Sequence, residues 1–297
     1  MSGIAPKLRA LAPSFTTDAA SGIVETGVPS LRFFWSRRFA PPTPVVYEPG
    51  IVIIGQGHKV GYLGERSFRY DPETCLIVSV PMPFACETHG SPDEPLLGLF
   101  VGIDLTELTA LCEAVGPEPG LPPPPAEALM RGVEPVAITG PMLDAVERML
   151  DCLGSAREAR VLGPGILREI LFRALTGPQG ATLRTLTRSD SQLARLARAI
   201  QRMERDYAAP LTVASLAEEA GLSVSVFHRR FKEVTAETPL QYIKKMRLNR
   251  ARMLIVHNAM RPSVAAAAVG YESASQFSRE FRRHFNIAPS EARGLGY

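Results

Sequence analysis

Two short stretches hold side chains whose types and spacing suit recognition of a nucleic acid. Read as a helix, Val224 to Val234 turns Ser225, Val226, His228, Arg229 and Lys232 outward. Phe227, Phe231 and the stem of Arg230 then face inward. Ala274 to His284 repeats the pattern, with Ser275, Gln276, Ser278, Arg279 and Arg282 outward and Phe277, Phe281 and Phe285 inward. An arginine can grip guanine with two parallel hydrogen bonds, and serine or histidine can contact bases or phosphates. Arg229 and Arg279 stand 50 residues apart at equivalent positions of the two copies.

The elements before these stretches explain how they are presented. Each follows a small-residue helix and a short turn, Ala220-Gly221-Leu222-Ser223 in the first copy and Val269-Gly270-Tyr271-Glu272-Ser273 in the second. Glycine can take the left-handed conformation that ends a helix. Thr212 and Ser223 can cap the two helices of the first copy. Two helices joined this way form a helix-turn-helix, and its second helix places outward residues in the DNA major groove. The spacing predicts two such units, about 212–234 and 262–285. A helix from Leu240 to His257 joins them and carries Lys244, Lys245, Arg247, Arg250 and Arg252. Those cations could approach the phosphate backbone or form a solvated face. Two reading helices on one face of a duplex would enter grooves roughly 34 Å apart.

Charge follows the same division. The chain has 297 residues and a net charge of +3, but from residue 190 onward 17 Lys and Arg face 10 Asp and Glu, leaving the earlier part acidic. A basic module beside an acidic one suits a polyanion-binding domain attached to something else. No apolar run approaches the length of a membrane span, and the N-terminus lacks the apolar core of a signal peptide. The four cysteines (Cys75, Cys86, Cys112, Cys152) are too few and too scattered for a disulfide framework, which points to a reducing cytoplasm.

The upstream part reads as a different class. After an irregular lead-in with a short helix near Lys7–Leu11, short apolar runs broken by turns extend from about 24 to 103. They predict a sandwich or barrel, and a small barrel with one open mouth is a natural ligand container. Pro41-Pro42-Thr43-Pro44 reads as a chain break, Gly55 to Lys59 as a hairpin turn and Val60 to Tyr70 as a hairpin. Helices are expected over about 104–176, interrupted by a proline-rich exposed segment at 116–125. Within them, Pro141–Leu153 and Pro164–Thr176 carry apolar stripes that could pack on each other or form a dimer interface. A polar connector follows, with the domain boundary at about 180–190.

Other chemistry finds little support. His58 and His89 are the only histidines of the expected barrel and lack the spacing of a metal site. Cys86-Glu87-Thr88-His89 is at most half of one, so no metal, cofactor or catalytic residue is assigned. Cys86 could be a thiol that senses an electrophile or oxidant or a buried structural cysteine; the other three cysteines read as core.

Residues 191–293 resemble the DNA-binding domain of the AraC/XylS family of transcription regulators. The resemblance rests on GLSVSVFHRRFKEVT with PLQYIKKMRLNRARMLI, and on VAAAAVGYESASQFSREFRRHFNIAPSEAR. Tyr70 to Asp104 and GPGILREILFRALTGPQG resemble the N-terminal domain of one subgroup. The resemblance implies an α+β multidomain protein. Residues 1–180 would form a cupin-like β-barrel with a helical dimerisation segment, and residues 181–297 an all-α domain with two helix-turn-helix motifs. It implies a homodimer that binds double-stranded DNA, works with RNA polymerase and answers to a small-molecule effector. Activation is the commoner behaviour in the family. The rival reading is a cupin-type enzyme, or an inert oligomerisation module, fused to the same DNA-binding domain.

Overall fold

The computed structural model describes residues 3–116, 132–177, 180–187, 191–256 and 258–294. Apart from Gly116, the expected proline-rich segment lies outside the described residues.

The N-terminal domain is built on two antiparallel sheets. Six strands form one, in the order β1 (Ser21–Glu25), β2 (Leu31–Ser36), β9 (Leu96–Gly102), β4 (Gly50–Gln56), β7 (Thr74–Val78) and β10 (Val133–Ala137). The other runs β3 (Ala40–Tyr47), β8 (Met82–His89), β5 (His58–Leu63) and β6 (Arg66–Tyr70). The central strands β4 and β9 are nearly continuous apolar runs, buried on both faces. The sheets face each other closely enough for Lys59 of β5 to lie 5.4 Å from the Phe34 ring of β2.

Several local expectations change. Pro41, Pro42 and Pro44 do not break the chain; they lie in β3, with a bulge between Ala40 and Thr43. Proline lacks a ladder N–H and is tolerated on an edge strand, which β3 is. Gly57, at φ +78°, turns a corner that carries the chain from one sheet to the other, not a hairpin. β10 is a strand that the sequence pattern does not signal; it holds Pro135 and is likewise an edge strand, paired with β7. The Val60–Tyr70 hairpin is present as β5 and β6, turning at Gly64.

Helices complete this domain. α1 (Ile4–Phe15) is longer than expected and lays Ile4 and Leu8 over Gly55, where a Cβ would lie 2.3 Å from Leu8 Cδ1. α2 (Leu105–Val115) is capped by Asp104, whose carboxylate accepts from two backbone N–H groups. α3 (Gly140–Leu153), α4 (Ala156–Val161) and α5 (Gly163–Leu175) follow. The apolar stripes of α3 and α5 are largely buried within the chain, and an Arg148–Glu169 ion pair crosses between these helices. The expected polar connector is helical: α6 (Gly180–Thr187) buries Leu183 and Leu186.

The C-terminal domain is all helical: α7 (Gln192–Arg205), α8 (Val213–Glu219), α9 (Val224–Thr235), α10 (Pro239–Val256), α11 (Pro262–Ala268) and α12 (Ala274–Phe285), then a 3-10 turn at Glu291–Gly294. Its packing divides in two. Phe227, Phe231 and Tyr242 belong to a core continuous with the β-sheets. Phe277, Phe281 and Ile255 form a separate core around the second unit. The Tyr242 hydroxyl, fully buried, donates to the Pro81 carbonyl at 2.8 Å, and Gly132 N–H donates to the Val234 carbonyl at 3.3 Å. The first unit is thus sealed onto the N-terminal domain.

The turn glycines of the two units differ in what surrounds them. A Cβ placed on Gly221 (φ +64°) would meet only the Arg195 guanidinium, at 3.2 Å, whereas one on Gly270 (φ +84°) would lie 2.4 Å from the Ala208 carbonyl oxygen. A left-handed alanine costs roughly 1–2 kcal/mol, and the flexible arginine can move aside. Gly221→Ala should therefore cost about that amount, and Gly270→Ala about 1 kcal/mol or more beyond it, because backbone must shift. Urea denaturation of the two variants checks the order; equal losses would refute it.

Candidate nucleic-acid interface and ligand cavity

The two reading helices are built alike. Ser223 Oγ caps Val226 N–H at 3.4 Å, and Ser273 Oγ caps Gln276 N–H at 3.2 Å. In each copy a second serine, Ser225 or Ser275, hydrogen-bonds the capping hydroxyl, at 3.3 and 2.9 Å. Both helices have 12 residues and end on a left-handed residue, Ala236 or Asn286, each at φ 59°. Helix length and caps are therefore matched, although the second turn is one residue longer.

On α9, Ser225, Arg229 and Lys232 are exposed, while Val226 and His228 are half-buried; on α12, Ser275, Gln276, Arg279 and Arg282 are exposed. Each group thus lies along one outer helical face, while Phe227, Phe231, Phe277 and Phe281 are buried. Arg229 has Glu233 at 4.0 Å, a loose surface pair, whereas Arg279 has no ion-pair partner among the described residues. Gln276 is held: its amide donates to Glu280 at 3.0 Å, and Glu280 also accepts from Lys244 at 3.0 Å and from the Tyr271 hydroxyl at 2.8 Å.

The cations of α10 are largely committed inside the chain. Arg247 donates to the carbonyls of Tyr207 (2.7 Å), Ala209 (2.9 Å) and Gly270 (3.2 Å). Lys245 pairs with Glu237 and Lys244 with Glu280. The Arg252 guanidinium lies 4.9 Å from the Phe285 ring, and burial lowers its pKa to about 10. Arg250 lies 5.8 Å from the Tyr207 ring. Of a row of basic residues expected to face phosphate or solvent, Lys245, Arg247 and Arg252 are braces within the chain, while Lys244 and Arg250 remain exposed. Periodicity alone could not distinguish these, because a brace needs a partner distant in sequence.

The second site is a cavity of about 430 Å³ between the two sheets. Phe34, Trp35, Val45, Val52, Leu96 and Phe100 supply apolar wall, and Met253 of α10 reaches it from the C-terminal domain. Lys59, Tyr47 and Cys86 also line it. Lys59 Nζ donates to Tyr47 Oη at 3.2 Å; Tyr47 and Tyr70 hydroxyls are 2.7 Å apart; Tyr70 Oη lies 3.1 Å from Cys86 Sγ. Burial, with Cys86 nearby, pushes Tyr47 up to about 12, so it stays a neutral phenol. Burial opposes charge on Lys59, but the adjacent Tyr47 and Cys86 favour it, and the balance lies above the ordinary lysine value. At the mouth, Arg32 pairs with the exposed Glu48 at 2.5 Å.

Cys86 is buried, as are Cys75 and Cys152, while Cys112 is half-buried; all four thiols are free. Among the described residues no cluster of three His, Cys, Asp or Glu side chains is arranged to hold a metal. His89 stacks on His58 at 4.1 Å and bonds Glu87. Among the described residues no helix is long and apolar enough to cross a membrane. Tyr47 and Met253 carry no sequence signal that marks them as cavity residues.

Comparison with known proteins gives the lineage. The family profile described as AraC-type transcriptional regulator N-terminus matches residues 27–182, more than half of the chain. The chain belongs to the AraC-type transcriptional regulators. A helix-turn-helix domain profile matches residues 216–294 of this regulator. The HTH-type transcriptional activator RhaS of Salmonella schwarzengrund is 31% identical over 128 residues, 42% of this chain and 45% of RhaS. The match thus spans less than half of that relative. Among solved structures, an apo variant of ToxT from Vibrio cholerae superposes with a TM-score of 0.62 at 11% identity, covering 92% of this chain and 100% of that one. Wild-type ToxT with bound unsaturated fatty acid gives 0.60 at 11%, covering 95% and 99%. At that identity the likeness is one of fold, a β-sheet domain followed by a helical one.

Glu204 of α7 sits where both domains act on it. Burial raises its carboxyl to about 7, with Arg250 lowering it and Glu48 of the N-terminal domain raising it. The folded state therefore favours the protonated form. That contribution is full below the ordinary carboxylate value of 4.5 and is lost as pH rises through about 7. Glu204→Gln should match the parent near pH 5 and exceed it near pH 8, by about 3 kcal/mol at most. Denaturant midpoints across that range decide it; a constant difference between the two proteins would exclude the carboxyl as the cause.

Proposed function

We propose that this regulator binds specific duplex DNA through α9 and α12 and activates transcription when a small organic effector occupies the cavity of its N-terminal domain. The observation that carries the reading is the pair of matched, serine-capped helices with Arg229 and Arg279 exposed at equivalent positions. Residues 1–180 would be the effector and dimerisation domain and 181–297 the DNA-binding domain. Ser225, Val226, His228, Arg229 and Lys232 would contact one groove segment, and Ser275, Gln276, Arg279 and Arg282 the next. Exposed arginines are suited to base reading, and a helix N-terminus is suited to a phosphate.

The cavity supports effector control. Its volume falls within the roughly 300–1,000 Å³ of small-molecule sites. Met253 lines it from the helix that joins the two reading units, so an occupant would touch both domains. ToxT, with the same fold, has been solved with an unsaturated fatty acid bound. Differential contact with two domain arrangements is what lets a ligand shift their populations. A homodimer would use the outward sides of α3 to α5, where Val161 and Leu162 are exposed, since the inward stripes are occupied. Contact with RNA polymerase in the cytoplasm completes the reading. Cys86 belongs to the lining of the cavity, and its bonds to Tyr70 and Glu87 favour a structural thiol over a sensor.

Gel shift of the full chain on genomic fragments tests the core of this. Salt-dependent, sequence-selective retardation is expected, and Arg279→Ala should weaken the selected site by about 1–3 kcal/mol while sparing non-specific binding. Absence of any duplex binding at low salt would refute the reading. Unchanged sequence preference in the variant would remove Arg279 from the contact set.

A further inference from the structure

Lys59 has no carboxylate to neutralise it. Its ammonium makes one hydrogen bond, to Tyr47 Oη, and lies 5.4 Å from the Phe34 ring and 5.7 Å from the Tyr47 ring. No Asp or Glu pairs with it among the described residues. It is half-buried, and the cavity reaches it. By contrast Arg32, at the mouth, pairs with Glu48 and lies 3.9 Å from Glu25. Even a partly desolvated cation without a counter-charge is costly, and here the unmatched charge lines a largely apolar cavity.

We infer that the cavity takes an organic monoanion, a monocarboxylic acid with an apolar or aromatic body, whose carboxylate lies against Lys59 Nζ and Tyr47 Oη. This rests on the effector reading above and names the chemical class of the effector. One unpaired cation balances one anionic charge, so a dianion such as succinate or phosphate would bring an unmatched charge into the cavity. The apolar body would lie along Phe34, Trp35 and Phe100. Gly22 belongs to the shape of this wall: a Cβ there would lie 2.4 Å from the Trp35 ring. A protonated lysine is a hydrogen-bond donor and a poor nucleophile, so the site suits reversible ion pairing and not an imine formed with an aldehyde.

The test uses the purified full chain and pairs of probes differing only in charge: phenylacetate against phenylacetamide, octanoate against octanamide, with succinate and phosphate as dianions. Thermal shift and calorimetry should show saturable binding of at least one acid, about tenfold or more tighter than its amide, with the dianions weaker still. Lys59→Met should lose the preference for the acid over the amide, and Lys59→Arg should retain it. Equal binding of acids and amides, no binding of either acid, or unchanged acid binding by Lys59→Met would overturn the inference. So would borohydride trapping of phenylacetaldehyde on Lys59. If Lys59→Met does not fold, the acid–amide comparison on the unsubstituted chain decides alone. Gel shift on the same preparation separates the two claims. A chain that retards DNA but ignores every acid overturns the inference and leaves the regulator reading standing. One that binds phenylacetate but no DNA does the reverse.

Discussion

The fold depends on one helix being buried in two places. The first half of α10 places Tyr242, Ile243 and Met246 in the core shared with the N-terminal domain. Its second half places Leu248, Ala251 and Ile255 in the core of the second helix-turn-helix unit. At 18 residues it extends about 27 Å. Arg247 stands where the two halves meet and ties three carbonyls from α7's end and the second turn to it. A guanidinium fork can hold several acceptors at once in fixed geometry, which a lysine cannot. The spacing of the two reading helices is thereby a property of α10 and its braces, not of a flexible linker.

That arrangement makes the units unequal. The first shares its core with the β-sheets and is hydrogen-bonded to them through Tyr242 and Val234. The second has its own core. A change in how the N-terminal domain meets the first unit can reach the second along α10, which packs against α11 and α12, and β3 also touches α12 directly. Met253 lines the cavity near the far end of the same helix. On the proposed reading, an occupant would act on the element that sets the spacing of the two reading helices, the geometrical quantity on which binding to two successive grooves depends.

Much of this was legible in the chain. Glycine turns, serine caps and a phenylalanine stripe are local signals, and they located both units and their outward faces. The alternating runs located the sheets. What escaped was what depends on partners distant in sequence. Three prolines read as a break because their tolerance on β3 depends on its being an edge, which only the assembled sheet decides. β10 lies beyond α2 and the proline-rich segment, and its pairing with β7 could not be inferred from five residues. The cations of α10 looked alike in sequence and serve different ends in space. Lys59 was recoverable in principle. Strand alternation puts it on the same side as Gly61 and Leu63, both buried, and a lysine in that phase signals a lined cavity.

The two copies also differ at the position after Arg229 and Arg279, and on the proposed reading this bears on how each would meet DNA. In the first copy that residue is Arg230, paired at 2.8 Å with Glu233 of its own helix. In the second it is Glu280, which ties Gln276 to Tyr271 of the turn and to Lys244 of α10. The second helix thus has its turn, one outward side chain and the linking helix locked together, while Arg279 has no ion-pair partner among the described residues. The first helix keeps its acidic partner beside Arg229 and Arg230, and bringing Arg229 to a base would mean leaving Glu233 behind. Fixed side chains lose less freedom on association than mobile ones. On the proposed reading, the second unit is therefore the one organised for contact before DNA arrives. The first, sealed to the N-terminal domain, would be the one whose contact is made conditional on what that domain holds.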